Sequence, residues 1–224
     1  MIITMDGPAG SGKSSLAKML AQRVGFAFLD TGAMYRCVTL CCLRSEVDLS
    51  DEQAVASIAE SILIELDGER IVLDGEDVSS LLRTPEVTRS IRPIADNHRV
   101  RSRLVSLQRE WAGTRNVVTE GRDQGTVAFP NAECKIFLTA SPEERARRRI
   151  AQLNSMGMAA DYDDILSQQN LRDAEDTSRS VGGLKAASDA IYVHTDGMSE
   201  EAVLERLIEL VRERRERLAS SNVG

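Results

Sequence analysis

The sequence predicts an α/β fold of three layers, a parallel sheet flanked by helices, and three observations carry that prediction. Short apolar runs alternate with longer stretches of helical period along most of the chain. The runs are apolar throughout rather than alternating, as strands covered on both faces require. A glycine-rich turn at residues 7–14 joins the first run directly to the first helical stretch.

In chain order, strands are expected at 2–5, 26–29, 117–120, 135–139 and 190–194, with helices at about 13–24, 33–44, 95–112, 142–156, 161–175 and 199–218. Strands separated by helices of this length form βαβ units with right-handed crossovers, hence a parallel sheet. Residues 62–66 and 69–73 break the pattern. Joined by Asp67-Gly68, they predict a β-hairpin closed by a type I′ turn, and Asp74-Gly75 is a second turn signal. Residues 60–90 are therefore expected to be a small insertion with its own strands. The last helix carries Val203, Leu204, Leu207, Ile208 and Val211 on one face, which should pack on the sheet, while 212–217 alternate in sign and face solvent.

The 224 residues suit one compact domain with one or two appendages. A net charge of −7 argues against coating nucleic acid or anionic membrane as a main task, and 4% aromatic residues argue against a stacking platform for single strands. The chain reaches Asp6 at once, with no charged-then-apolar leader, and its apolar runs fall short of the ~18 residues that span a bilayer. A cytoplasmic monomer without nucleic-acid or membrane partners is expected. Cys37, Cys41, Cys42 and Cys134 read as reduced, mostly buried apolar residues, because metal thiolates usually come in pairs from separate segments.

Gly7-Pro8-Ala9-Gly10-Ser11-Gly12-Lys13-Ser14 matches G-x-x-x-x-G-K-S/T at every fixed position, and Ser15 follows it into the helix. The glycines let the backbone wrap a nest of inward N–H groups, and the helix N-terminus adds partial positive charge. Lys13 supplies a full charge for the β- and γ-phosphates of ATP, and the Ser14 hydroxyl can ligate Mg²⁺. These residues predict a P-loop nucleotide-binding fold.

P-loops serve switches, motors and kinases. No Asn-Lys-x-Asp base-reading motif and no apolar run ending in Asp-Glu accompanies this one. Instead an acidic chain gathers arginine into a few segments. Arg36 follows Asp30-Thr31-Gly32, Arg122 follows Glu120-Gly121, and Arg145, Arg147, Arg148 and Arg149 crowd one helix. Seven arginines stand against two acids between 83 and 109. This points to a second phosphate-bearing substrate. From the residues alone, Arg172 and Arg179 read as surface charges, Leu104, Leu107 and Trp111 as core, and His98 and His194 as structural.

MDGPAGSGKSS at the start, LDTGAMYR from Leu29, LDGEDVSSLLRTPEV from Leu73, EGRDQGTVAFPNAECKIFLTAS from Glu120 and ERARRR from Glu144 resemble the bacterial cytidylate kinases, nearly end to end. The resemblance implies one P-loop kinase domain over 1–224, with an NMP-binding insertion at about 33–112 and a helical lid at about 142–182. It implies transfer of the γ-phosphoryl of ATP to CMP or dCMP. Lys13, Arg122 and Arg179 would be catalytic. Arg36 and Arg122 would grip the acceptor phosphate, with Thr31 offering a hydroxyl. Asp123 and Arg101 would read the cytosine edge. Arg172 and Asp176 would contact the ribose, with Arg179 near the sugar and phosphates. Arg92 stands where the family often has serine. The competing readings are a kinase for another nucleotide and a P-loop switch.

Overall fold

The computed structural model describes residues 1–68, 70–155, 157–179 and 181–221. It divides into two compact units, the first made of Met1–Phe28 and Arg115–Gly224, the second of Leu29–Thr114. The chain leaves the first unit in the middle of a strand and returns 86 residues later, the length of Leu29–Thr114.

The sheet is built from β1 (Ile2–Asp6), β2 (Ala27–Asp30), β6 (Val117–Gly121), β7 (Cys134–Thr139) and β8 (Ile191–His194), in the order β2-β6-β1-β7-β8. β1 pairs in parallel with β6, Asp6 opposite Gly121, and with β7, Asp6 opposite Phe137. The carboxyl ends of β1, β6 and β7 therefore lie side by side, where open α/β sheets present their ligand sites. Helices α1 (Lys13–Val24) and α8 (Glu200–Ser221) cover one face. Ile3, Met5, Ile136 and Leu138 interlock there with Leu16, Leu20, Leu204 and Leu207, all buried. The apolar stripe foreseen on the last helix is this contact. Helices α6 (Pro142–Ser155) and α7 (Tyr162–Ser178) pack on each other. The expected end of α6 at Met156 lies outside the described residues.

The second unit holds α2 (Thr31–Arg44), α3 (Glu52–Ser61), α4 (Pro85–Asp96) and α5 (His98–Ala112), with an antiparallel sheet of β3 (Ile64–Asp67), β4 (Arg70–Leu73) and β5 (Glu76–Asp77). Two of these helices were not expected. α3 starts on Asp51, whose carboxylate accepts from Gln53 N and Ala54 N. α4 starts on Thr84 with Pro85 in its first turn, where a missing N–H costs nothing, and runs through Pro93. Pro93 makes the sequence look broken there. α5 begins at His98 rather than near 95, because the Asn97 side chain accepts from Arg99 N and Val100 N and sets the helix start.

The hairpin register also differs from expectation. Asp67 pairs with Arg70, so Asp67 stands on the strand and not in the turn, and Glu69 lies outside the described residues. The type I′ turn is the second one. Leu73 pairs with Glu76, and both intervening residues have positive φ, Asp74 at 49° and Gly75 at 86°.

Leu207 is 0% exposed in the core between α8 and the sheet. Leu207→Ala should lower the free energy of unfolding in a urea titration by about 3 kcal/mol. Glu205→Ala, on the exposed face of the same helix, should change it by less than ~0.5 kcal/mol.

Candidate functional site

The glycine-rich loop leaves β1 at Asp6 and enters α1 at Lys13. Gly7 has φ 154°, and a Cβ there would stand 2.0 Å from the carbonyl oxygen of Leu138, so no other residue fits. Gly12 caps α1 with φ 86°. The Lys13 side chain folds back over the loop, its Nζ donating to Pro8 O at 2.8 Å. Ser15 Oγ donates to Gly12 O at 3.0 Å, which secures the first helical turn. Ser11 Oγ is buried at the loop with no hydrogen-bond partner among the described residues. A closed loop, an inward ammonium, an orphaned hydroxyl and a helix N-terminus together fit a polyphosphate.

Two carboxylates flank the loop that sequence reasoning passed over as motif letters. Ser14 Oγ donates to Glu120 Oε1 at 3.0 Å. This hydroxyl and carboxylate are hard oxygen donors, the type Mg²⁺ takes from protein when phosphates and water complete its shell. The donor set fits that ion. Among the described residues no group of three or more His, Cys, Asp or Glu could hold a metal by itself. Asp6, 3% exposed, accepts Gln124 N at 2.8 Å on Oδ1 and Gly125 N at 2.7 Å on Oδ2. Those amides open a short π-helical turn, Gln124–Ala128, that the sequence did not announce.

Burial dominates the titration of both groups. It pushes the Asp6 carboxyl up to about 6, against the pull of the two amides. It pushes the Lys13 ammonium down to about 7, with the nearby Arg122 guanidinium acting the same way and Glu120 and Asp6 opposing. Phosphate oxygens beside Lys13 would restore its charged form.

Arg122, Arg172, Asp176 and Arg179 come together in the first unit. Arg122 Nε donates to Asp176 Oδ2 at 2.7 Å, and Arg179 Nη1 lies 3.0 Å from Asp176 Oδ1. Burial works upward on Asp176, but Arg122, Arg179 and Arg172 hold it below the usual carboxylate range. Arg179 is thus half-buried in an ion-pair cluster, whereas Arg172 is exposed. Asp123 is 5% exposed beside the π turn, its carbonyl accepting from Val127 N at 2.8 Å.

Of the arginines crowding α6, one is distinct. Arg145 is buried and its guanidinium donates to Ala140 O at 3.1 Å, Ala9 O at 2.9 Å and Asp173 Oδ2 at 2.5 Å. It ties the loop to α6 and α7. Its place two positions ahead of the Arg147–Arg149 run gave no sign of this, since only burial separates it from its neighbours. Arg148 serves structure, donating to Thr195 O and Oγ1, and Arg147 is exposed beside Glu144.

The remaining predicted residues belong to the second unit. Asp30 Oδ1 caps α2 by accepting from Ala33 N at 2.9 Å, and Thr31 is buried in that first turn. Arg36 Nη1 donates back to Gly32 O at 3.2 Å. Arg101 is 5% exposed, donates to Ala95 O at 3.1 Å and lies 5.8 Å from the centre of the Tyr35 ring. Arg92 is exposed and lies 3.6 Å from Asp96.

The architecture and the sequence both have relatives. A crystal structure of a gluconokinase from Sinorhizobium meliloti superposes with a TM-score of 0.50 at 16% identity, covering 98% of this chain and 96% of that one. That likeness supports the fold. Cytidylate kinase from Rhodopirellula baltica is 53% identical over 213 residues, 95% of this chain and 93% of its own. Cytidylate kinase from Caldanaerobacter subterraneus is 45% identical over 210 residues, 94% of each. The family model for cytidylate kinase matches residues 3–213. With a phosphate loop at its head and a match along nearly its whole length, this chain belongs to the cytidylate kinase family.

Proposed function

We propose that this protein transfers the γ-phosphoryl group of ATP to the phosphate of CMP or dCMP, giving CDP or dCDP. The observation that carries the reading is the buried Lys13 ammonium folded over an intact phosphate nest, in a chain of this family. An acceptor phosphate oxygen attacks the γ-phosphorus, the bond to the β,γ-bridging oxygen breaks, and ADP leaves. Such a reaction asks for alignment and charge neutralisation rather than a protein nucleophile.

The backbone of residues 7–15 binds the donor phosphates, and Lys13 neutralises charge on the transferred group. Ser14 and Glu120 would hold magnesium, which when bound offsets charge on the β- and γ-oxygens. Arg122 and Arg36 grip the acceptor phosphate with Thr31, and Arg179 steadies the phosphates in transfer. Asp123 accepts from the cytosine amino group and Arg101 reads the same edge. Arg172 and Asp176 contact the ribose. Residues 33–112 form the acceptor-binding region, and 142–182 a lid that excludes water. The whole works as a cytoplasmic monomer on free nucleotides. Among the described residues no helix is long and apolar enough to cross a membrane.

An ADP-release assay across CMP, dCMP, UMP and AMP should give rapid turnover with the cytidine nucleotides. Nucleotide binding without acceptor-dependent turnover would overturn the reading. Asp123→Ala should raise KM for CMP by about tenfold or more, the loss of a charge-assisted hydrogen bond, with KM for ATP nearly unchanged.

Lys13→Met should lower kcat by about 10²-fold or more while raising the melting temperature at pH 7. The folded pKa of Lys13 lies below its ordinary value of 10.5, near 7. Between these values the unfolded chain holds more protons, so wild-type stability gains from Lys13 as pH rises and loses it as pH falls toward 7. The thermal advantage of the variant should therefore be greatest at pH 7 and shrink towards pH 10.

A further inference from the structure

Gly32 is an anomaly in α2. It follows Thr31 in the first turn of the helix, where alanine would be the better helix former. Its backbone does not call for glycine, since it is not among the residues of positive φ. No turn, bulge or left-handed cap is built there. What the position supplies is the absence of a side chain. A Cβ on Gly32 would stand 3.0 Å from Arg36 Nη1 and 3.4 Å from Asp30 Oδ1. The same Arg36 Nη1 donates to Gly32 O at 3.2 Å. The guanidinium of Arg36 thus lies folded back against the bare first turn of its own helix, one turn before its Cα.

The atom a methyl group would strike is the far end of a flexible side chain, so the clash would be relieved by the arginine and not by the helix. Asp30 Oδ1, at 3.4 Å, would be in ordinary contact with the methyl group and would keep its bond from Ala33 N. The geometry points to Gly32 as a positioning residue for the reaction, which sets the guanidinium of Arg36 where it grips the phosphate of the acceptor nucleotide. This rests on the reading of Arg36 as an acceptor-phosphate ligand. A planar guanidinium that pairs two phosphate oxygens is sensitive to small displacements, because its fork must meet both at once.

The experiment is a double-mutant cycle of Gly32→Ala and Arg36→Ala, read by KM for CMP, KM for ATP and thermal melting. Gly32→Ala should raise KM for CMP roughly tenfold, the worth of one displaced charge-assisted contact, with KM for ATP within about twofold. Its melting temperature should hold or rise by about 2 °C, from the gain in helix propensity. In the Arg36→Ala background the same change should have no further effect on KM for CMP. An unchanged KM for CMP in Gly32→Ala, an equal loss with and without Arg36, or a lowered melting temperature would each overturn the inference, the last two by showing a role in the helix itself. If Arg36→Ala alone leaves KM for CMP unchanged, the reading of Arg36 fails and the inference with it, which separates that failure from one confined to Gly32.

Discussion

The carboxylate of Asp6 fastens two segments that are 118 residues apart, accepting the amides of Gln124 and Gly125 from its place at the end of β1. One residue later the chain turns at Gly7 into the phosphate loop, and one residue before Gln124 stands Asp123. The brace therefore fixes the donor loop and the Arg122-Asp123 segment to a common point. Gly125 has no room for anything else, since a Cβ there would meet Thr4 Oγ1 at 2.9 Å. A bidentate carboxylate on successive amides is a rigid connector, and it makes the π turn a structural joint rather than a loose loop.

That rigidity is bought with buried charge. Asp6, Lys13, Glu120, Asp123 and Asp176 are all under a tenth exposed, within one unit of the molecule. Desolvation drives the acid and the base towards neutrality, Asp6 upward and Lys13 downward. Held in water, Lys13 would be charged but hydrated, and its field would be weak. Sequestered over the loop, it is destabilising to the fold yet strongly attracted to any phosphate that replaces its lost hydration. The same trade appears in the Arg122–Asp176–Arg179 cluster, where mutual pairing keeps buried ions from standing alone.

Much of this was legible from the chain. The places of the five strands, to within a residue, follow from apolar runs, and the phosphate loop from glycines whose spacing no ordinary turn requires. What failed were short elements whose starts are set by a capping side chain or whose run is interrupted by proline. α3 and α4 are short helices started by Asp51 and Thr84, and Pro93 disguises the second. The hairpin differs by one residue because Asp-Gly reads as the turn itself, while pairing puts Asp67 on the strand. At the site, residue types with fixed spacing could be named, but Asp6, Glu120 and Arg145 could not be given roles. Their partners lie 106 to 136 residues away, at Gln124 and Gly125, Ser14 and Ala9.

The division of the first unit into Met1–Phe28 and Arg115–Gly224 has a consequence for how the chain acquires its structure. In synthesis the phosphate loop emerges while Glu120, the π turn, Arg145 and α8 are all still to be made. Leu29–Thr114 is uninterrupted, its helices pack on one another within that span, α2 on α4 and α3 on α5, and it can condense while β1 waits. β1 needs β6 and β7 on either side before its backbone is paired. The strand that leads into the phosphate loop is thus secured only after the chain beyond it has been made.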